Sequence, residues 1–591
     1  MKTYLLLSFI LFFAVAPANA QWSVLDNDPR ILQPGGMSPA WNVFTPEQWN
    51  ASNFATPEDM KWFTDVRFGM FISYGLSSYV QEDLSWPIVY NRKAPDPGHG
   101  TYPDSAWKVT WPSLWKMEKF DAKKWVAIAK SAGMKYMVII VKHHDGFHMW
   151  DTKFSDFKIT NTPFGRDYLK ELADACHEAN MRLGIYYSQR DWYHPDYAPV
   201  DTTKTIRLPR QPFYEAKPGQ TAEPGPTHQK YIQYQYNVIK ELLTNYGKID
   251  LFWFDAAWSG GMYPPQMWDA ENLTRMMRKL QPHIIINNRT GLPGDFDTPE
   301  QTIGMYQKRP WESCMTINGR WAYNPKYPNK SVKTLISEIL RAASGNGNVL
   351  LSWGANFDGA FNQPQKDTLL AIGAWLRQYG KYYYGTKGGP WMPRRDFGAV
   401  YKGREVYLYV FNWKEATLKL KALKHNAVEK AEFVNVSESL NWFTEKDSLR
   451  FEQPALPDSI VTILKLTMEK PIEENDIMTG SSNLFDNPAY GEKFTIKTVK
   501  KSAWDDGAAV VDLGEEKAVT ILNISGLEEN ARVDVSADSQ NWDKVGLVRL
   551  KRGVLLVTTT IAGAQVPGKQ VRYIRLTGKN PQDFRIEVFA Q

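Results

Sequence analysis

Two carboxylates and a group of imidazoles are the residues of this sequence best suited to chemistry. Asp255 ends the apolar run Ile249–Phe254, where a carboxylate is costly to bury without a task or a partner. A helix N-cap or a salt-bridge partner is the alternative reading. Glu300 ends Gly294-Asp295-Phe296-Asp297-Thr298-Pro299-Glu300, read as a loop over the mouth of the fold, where a plain solvated carboxylate is the alternative. Taken together, carboxylates on two separate loops suit glycoside hydrolysis, one as nucleophile and the other as acid/base. His143, His144, Asp145 and His148 raise a metal site as a further alternative. Adjacent histidines at a strand end are expected to face opposite ways, so they would not share one ion, and no second cluster of ligands accompanies them. No metal and no cofactor is therefore expected. A sugar hydroxyl is the more natural partner for an imidazole beside Trp150 and Tyr187.

These residues need a scaffold that gathers strand ends. Short apolar runs recur at Phe68–Tyr74, Tyr136–Lys142, Arg182–Ser188, Asp250–Asp255, His283–Asn288, Trp311–Thr316 and Asn348–Trp353. Helical patterns separate them at Ala122–Ala132, Arg166–Ala179, Gln229–Asn245, Glu271–Leu280, Val332–Ala343 and Thr368–Tyr379. Leu169, Leu172, Ala173 and Cys176 show the three-and-four spacing of a buried helix face. So many βα units predict an α/β fold of the (β/α)₈-barrel type, in which reacting groups sit at the C-terminal ends of strands. No glycine-rich dinucleotide fingerprint opens the first unit. The barrel is expected over 61–388, after an N-terminal segment at 21–60. Period-two strands then predict a β-sandwich at 389–470 and, beyond a polar linker at Pro471–Asp476, a second one at 477–591.

Composition sets the remaining bounds. The chain has 591 residues and a net charge of +6, too small a surplus to argue for nucleic acid. Residues 1–20 read as a secretory signal peptide: Lys2, an apolar run from Tyr4 to Val15, and Ala18-Asn19-Ala20 before Gln21. The run is too short to span a bilayer, no cysteine follows the cleavage site, and no membrane insertion is expected. The protein is expected to be secreted or periplasmic. Cys176 and Cys314, the only cysteines, are expected as buried free thiols. The aromatic fraction of 14% fits either a large core or a sugar-binding surface, with Trp86, Trp150, Tyr187, Trp192 and Trp258 expected around the barrel mouth.

Several motifs resemble those of the α-L-fucosidases of glycoside hydrolase family 29. They are Lys142-His143-His144-Asp145-Gly146-Phe147, Trp150-Asp151, Asn161-Thr162-Pro163-Phe164-Gly165-Arg166-Asp167, Trp253-Phe254-Asp255, Asn288-Arg289, Thr298-Pro299-Glu300, Trp311-Glu312-Ser313-Cys314 and Gly345-Asn346-Gly347-Asn348-Val349-Leu350-Leu351. The similarity runs in order from about Phe68 to Gly385. It implies an exo-acting retaining double displacement on a terminal α-L-fucosyl residue, with Asp255 as nucleophile and Glu300 as acid/base. Glu312 is the second candidate for the acid/base. It also implies sugar contacts from His143, His144, Tyr187 and Arg289, and a pocket wall from Trp86. The last 120 residues resemble the discoidin (coagulation factor 5/8 type C) sandwich, through Val511-Asp512-Leu513-Gly514, Val535-Ser536-Ala537-Asp538 with Trp542, and Val571-Arg572-Tyr573-Ile574-Arg575-Leu576. That likeness implies a sugar-binding or scaffolding module.

The departures from the family pattern are specific. Ser73-Tyr74-Gly75 stands where the family has His-Trp-Gly, Ser85-Trp86 where it has Glu-Trp, Ala256 where it has Gly, and Ser352-Trp353-Gly354 where it has Asn-Ile-Gly. A smaller, hydroxyl-lined pocket would suit a fucose-configured sugar with an added hydroxyl, such as L-galactose. An α-L-galactosidase and a non-catalytic sugar-binding protein are the alternatives, the latter weakened by the presence of both carboxylates.

Overall fold

The computed structural model describes residues 50–88, 102–197, 227–255 and 265–477, apart from Thr302, Gly304, Met305, Gln307, Lys308, Arg395 and Lys414. Of the last part of the chain it describes 492–517, 519–525, 531–551, 554–556, 570–578 and 584–590. The expected signal peptide, most of the expected N-terminal segment and Trp258 lie outside these residues.

Seven parallel strands form the central sheet: β1 (Phe68–Ile72), β2 (Tyr136–Lys142), β3 (Arg182–Ser188), β4 (Leu251–Asp255), β5 (Ile285–Ile286), β6 (Glu312–Thr316) and β7 (Asn348–Trp353). They run in the order β5-β4-β3-β2-β1-β7-β6. Nearly every residue of these strands is buried, as expected for parallel strands covered on both faces. The gap between β5 and β6 is filled by the segment Phe296–Glu300, through parallel bridges Asn287↔Phe296, Asp297↔Trp311 and Glu300↔Cys314. An irregular eighth position thus closes the (β/α)₈-type ring. This corrects the expectation for Glu300, which belongs to the barrel wall rather than to a loop over its mouth. His283–Asn288 likewise shrinks to the two residues of β5, because Asn287 and its successors turn to meet the bridging segment.

Helices cover the outside: α1 (Pro57–Val66), α2 (Ala122–Ser131), α3 (Tyr168–Glu178), α4 (His228–Asn245), α5 (Ala270–Leu280), α6 (Val332–Ser344) and α7 (Gln363–Tyr379). Local chemistry sets their starts. Asp121, Asp167, Ser331 and Asn362 each accept a backbone N–H from the first turn, satisfying a donor with no partner inside the helix. The cap at Asn362, with Pro364 in the first turn, explains why α7 begins five residues before the expected Thr368. Cys176 lies on α3 and Cys314 within β6, and both are buried free thiols. No helix among the described residues is long and apolar enough to cross a membrane.

Beyond the barrel the chain is antiparallel β-structure. A five-stranded and a three-stranded sheet, built from Lys387 to Met468, share a core that includes Phe397, Leu408, Leu418, Phe451 and Leu464. A three-stranded and a six-stranded sheet, built from Glu492 to Ala590, share a second core that includes Val511, Val533, Ile574 and Val588. Both are sandwich-like pairs of sheets.

The outer ring is packed to contact at α7 on α2. A Cβ added at Gly373 would lie 1.9 Å from the carbonyl oxygen of Ser131. Alanine is intrinsically the better helix residue by about 1 kcal/mol, but forcing two backbones apart costs about 1–3 kcal/mol. Gly373→Ala is therefore expected to lower Tm by a few degrees, measured by calorimetry, against its helix propensity.

Candidate active site

The inward face of the barrel strands is fixed by register. Tyr186 pairs with Trp253 and Ser188 with Asp255, so the four share one face of the β3–β4 pair. At the C-terminal ends of the strands a cavity enclosing about 460 Å³, its open end included, is lined by Phe71, Ser73, Leu84, Trp86, Ile140, His143, His144, Tyr186, Trp253, Asp255, Arg289, Glu300, Cys314 and Trp321.

Arg289 organises the floor. Its Nη1 donates to Asp255 Oδ1 at 2.9 Å and its Nη2 to Glu300 Oε2 at 3.1 Å, so both carboxylates sit on one guanidinium fork. The fork is held from behind: Nε donates to Thr298 Oγ1 at 2.9 Å and Nη2 also to Thr298 O at 3.1 Å, while Thr298 Oγ1 donates to Asn288 Oδ1 at 2.7 Å. The guanidinium also lies over the Trp253 ring, 4.5 Å from its centroid. Asp255 takes its second hydrogen bond from the Tyr186 hydroxyl, 2.7 Å from Oδ2. Burial pushes the Glu300 carboxyl above the usual range; Arg289 opposes the rise and the charge of Asp255 adds to it.

The two imidazoles face the same cavity, which corrects the expectation that they point apart. Pairing of β2 with β3 skips a residue between Ile140 and Lys142, so Val141 is an irregularity in the ladder. Lys142 consequently faces outward, pairing with Asp191 at 3.2 Å, and the histidines follow the last paired residue, where alternation no longer applies. Burial holds both imidazoles neutral, with His143 pushed down to about 3 and His144 well below its ordinary value. Ser85 Oγ accepts the Asp145 N–H at 2.9 Å and lies 2.7 Å from His143 Nδ1, towards which the Ser85 N–H also points at 3.4 Å. Two donors at Nδ1 make it the acceptor, so the tautomer assigned by this network carries its proton on Nε2.

His143, His144 and Asp255 offer ligand atoms within 4.8 Å of one another, the arrangement among the described residues closest to a metal centre. Both oxygens of Asp255 already accept hydrogen bonds, and the Arg289 charge beside them opposes a cation. The set fits hydrogen bonding better than ligation.

Other expectations need correction. Tyr187 is fully buried on the outward face of β3, under Lys142 Nζ at 4.7 Å; the cavity residue is its neighbour Tyr186. Glu312 is buried beneath the floor, accepting from the Tyr136 hydroxyl and from Trp253 Nε1 at 3.1 Å, and it does not line the cavity. Burial raises its carboxyl to about 7. Trp150 is buried against Glu241, to which its indole donates at 2.9 Å. Ser73 and Trp86 do line the cavity; Trp192 packs against Trp86 and His144 at ring distances of 5.8 and 5.0 Å. The parity of Asp255 could have identified Trp253 from the sequence, whereas Tyr186 follows only from the register of β3 against β4. Nothing in the sequence marked Trp321, which arrives from the chain beyond β6.

Comparison with known proteins bears on the same residues. A profile described as "Alpha-L-fucosidase" matches residues 40–381. Human tissue α-L-fucosidase is 27% identical over 430 residues, covering 68% of this chain and 86% of that one. Among solved structures, α-L-fucosidase isoenzyme 1 from Paenibacillus thiaminolyticus superposes with a TM-score of 0.59 at 31% identity, covering 70% of this chain and 99% of its own. A family 29 α-L-fucosidase from Bacteroides thetaiotaomicron, trapped as a covalent intermediate with 2-fluoro-fucosyl fluoride, gives 0.60 at 25% identity, covering 71% and 97%. The ring of strands, the carboxylates on one arginine and the profile spanning both lead to one assignment: the chain is a glycoside hydrolase and belongs to the α-L-fucosidase family, family 29.

Proposed function

We propose that the protein is an exported, exo-acting, retaining α-L-glycosidase that removes terminal α-L-fucosyl or fucose-configured residues from glycans. The pairing of Asp255 and Glu300 on Arg289 is the observation that carries this reading. In a retaining reaction the two carboxyls lie about 5–5.5 Å apart, and neighbouring nitrogens of one guanidinium favour such closeness. Asp255, aimed by Tyr186 and Arg289, attacks the anomeric carbon and forms a glycosyl ester. Glu300, in its protonated form, gives its proton to the leaving oxygen, and as carboxylate it then takes a proton from the water that cleaves the ester. Burial suits Glu300 to the acid role by favouring its neutral form. Glu312 is screened from the sugar by Trp253, which supports Glu300 over it. Neutral His143 presents an Nε2–H donor to a sugar oxygen. A cavity with Trp253 at its base supports exo action, and the apolar start with Ala18-Asn19-Ala20 supports export.

A second reading has one observation in its favour. The Ser73 hydroxyl lies on the cavity wall, 2.9 Å from Ser352 Oγ, which also lies 2.7 Å from Trp321 O. A hydroxyl there suits a sugar bearing an extra hydroxyl, as in an α-L-galactoside. Aryl α-L-fucoside and α-L-galactoside turnover separates the two, and equal or faster hydrolysis of the fucoside removes the second.

Asp255→Ala is expected to lower kcat by on the order of 10³-fold or more while sugar binding, measured by calorimetry, persists. Retained hydrolysis would transfer the nucleophile's role elsewhere. Glu300→Gln is expected to cost about 10²–10⁴-fold on substrates with poor leaving groups, with azide restoring turnover of activated ones. Because the Glu300 carboxyl is raised and acts as an acid, wild-type kcat/KM should fall as pH rises through its ionisation, and the variant should lose that limb. Ser85→Ala removes the hydroxyl that fixes the His143 tautomer and should lower kcat/KM about tenfold, the value of one buried hydrogen bond. An unchanged kcat/KM would show that His143 holds its tautomer without it.

A further inference from the structure

Two walls of the cavity come from segments far apart in sequence: Leu84 and Trp86 from the chain after β1, and Trp321 from the chain after β6. One side chain joins them. Asp83 Oδ1 accepts the backbone N–H of Trp321 at 2.8 Å and that of Ala322 at 2.9 Å. On its own side Asp83 O accepts the Trp86 N–H at 3.0 Å. The backbone around it is strained: Gln81 and Leu84 have φ of 56° and 42°, left-handed values that cost a residue with a side chain. Strain of this kind persists only where surrounding contacts over-determine it, and Asp83 supplies two hydrogen bonds to the opposite wall.

We propose that Asp83 is a positioning residue: a latch that ties the Leu84–Trp86 wall to Trp321 and so sets the width of the sugar pocket. It touches no reacting atom and acts through the two indoles and Leu84. Its loss should therefore loosen ground-state binding more than chemistry. Burial raises its carboxyl to about 6; Arg320 opposes that shift and Glu82 adds to it. Since the charged form is the stronger acceptor, the latch weakens as pH falls through that value. The kinetic consequence rests on the glycosidase reading above, whereas the structural consequence does not.

The test uses the full chain with Asp83→Asn, which keeps the shape, and Asp83→Ala, which removes the acceptor. Hydrogen exchange at the Trp321 and Ala322 amides is expected to accelerate about tenfold in Asp83→Ala, the loss of one buried hydrogen bond's protection. Unchanged exchange there overturns the latch whatever the enzyme's substrate. In kinetics, KM for the aryl glycoside is expected to rise about tenfold in Asp83→Ala, with kcat within about threefold of wild type. Wild-type KM should climb as pH falls below about 6, and this step should vanish in Asp83→Asn. A fall in kcat at constant KM, or an unaltered pH step in Asp83→Asn, would contradict the assignment. Failure of wild type to cleave any aryl α-L-glycoside would remove the function proposed above and leave the exchange result to decide the latch.

Discussion

Everything at the barrel mouth depends on one buried cation. Two carboxylates brought to one cavity repel each other, and burial makes that repulsion worse. Arg289 resolves this by taking one carboxylate on each of two nitrogens. A lysine, with one point charge, could not present two fixed donors in this way. Much of the local sequence serves the guanidinium: Thr298 and Asn288 fix its edge and Trp253 supports its face. Beneath Trp253, the Tyr136 and Trp253 donors satisfy the buried carboxyl of Glu312, which holds the indole in place. The acid that resembles a catalytic candidate in the sequence is thus part of the floor's support.

The same requirement explains the irregular side of the barrel. Regular strands would carry the chain past the site, whereas Phe296–Glu300 pairs only through single bridges and so delivers Thr298 and Glu300 to Arg289 from the wall itself. The cavity's other walls are aromatic and aliphatic, with Trp86, Trp253 and Trp321 around a few polar groups. An apolar lining excludes water and strengthens each hydrogen bond made inside.

Much of this was legible in the sequence. Helix spans follow from periodicity, and seven strands from their apolar runs, because long buried elements carry strong local signals. Asp255, His143, His144 and Arg289 were legible as polar residues ending such runs. The errors have physical causes. The resemblance points to Tyr187, whereas the face of each β3 tyrosine is set by the register of β3 against β4, which the sequence does not show. Strict alternation gives the histidine pair opposite faces, but both lie beyond Lys142, the last paired residue of β2, where alternation no longer applies. Glu300 reads as a loop residue because a segment held by isolated bridges has no periodic pattern of its own. Tertiary partners such as Asp83 and Trp321, about 240 residues apart, leave no local trace. The aromatic excess was legible only as an excess: Trp107, Trp115, Trp125, Trp150, Trp268, Trp311 and Trp353 are fully buried, and a minority of the rings reach the cavity.

The central claim is that Asp255 and Glu300, held on one guanidinium, work as a nucleophile and an acid/base rather than as a base and an acid flanking a water. The stereochemistry of the first product tests this directly. Proton NMR of an aryl α-L-glycoside during the first moments of hydrolysis, before mutarotation, should show the α-anomer of the released sugar. Initial release of the β-anomer would mean single displacement by water and would contradict the account.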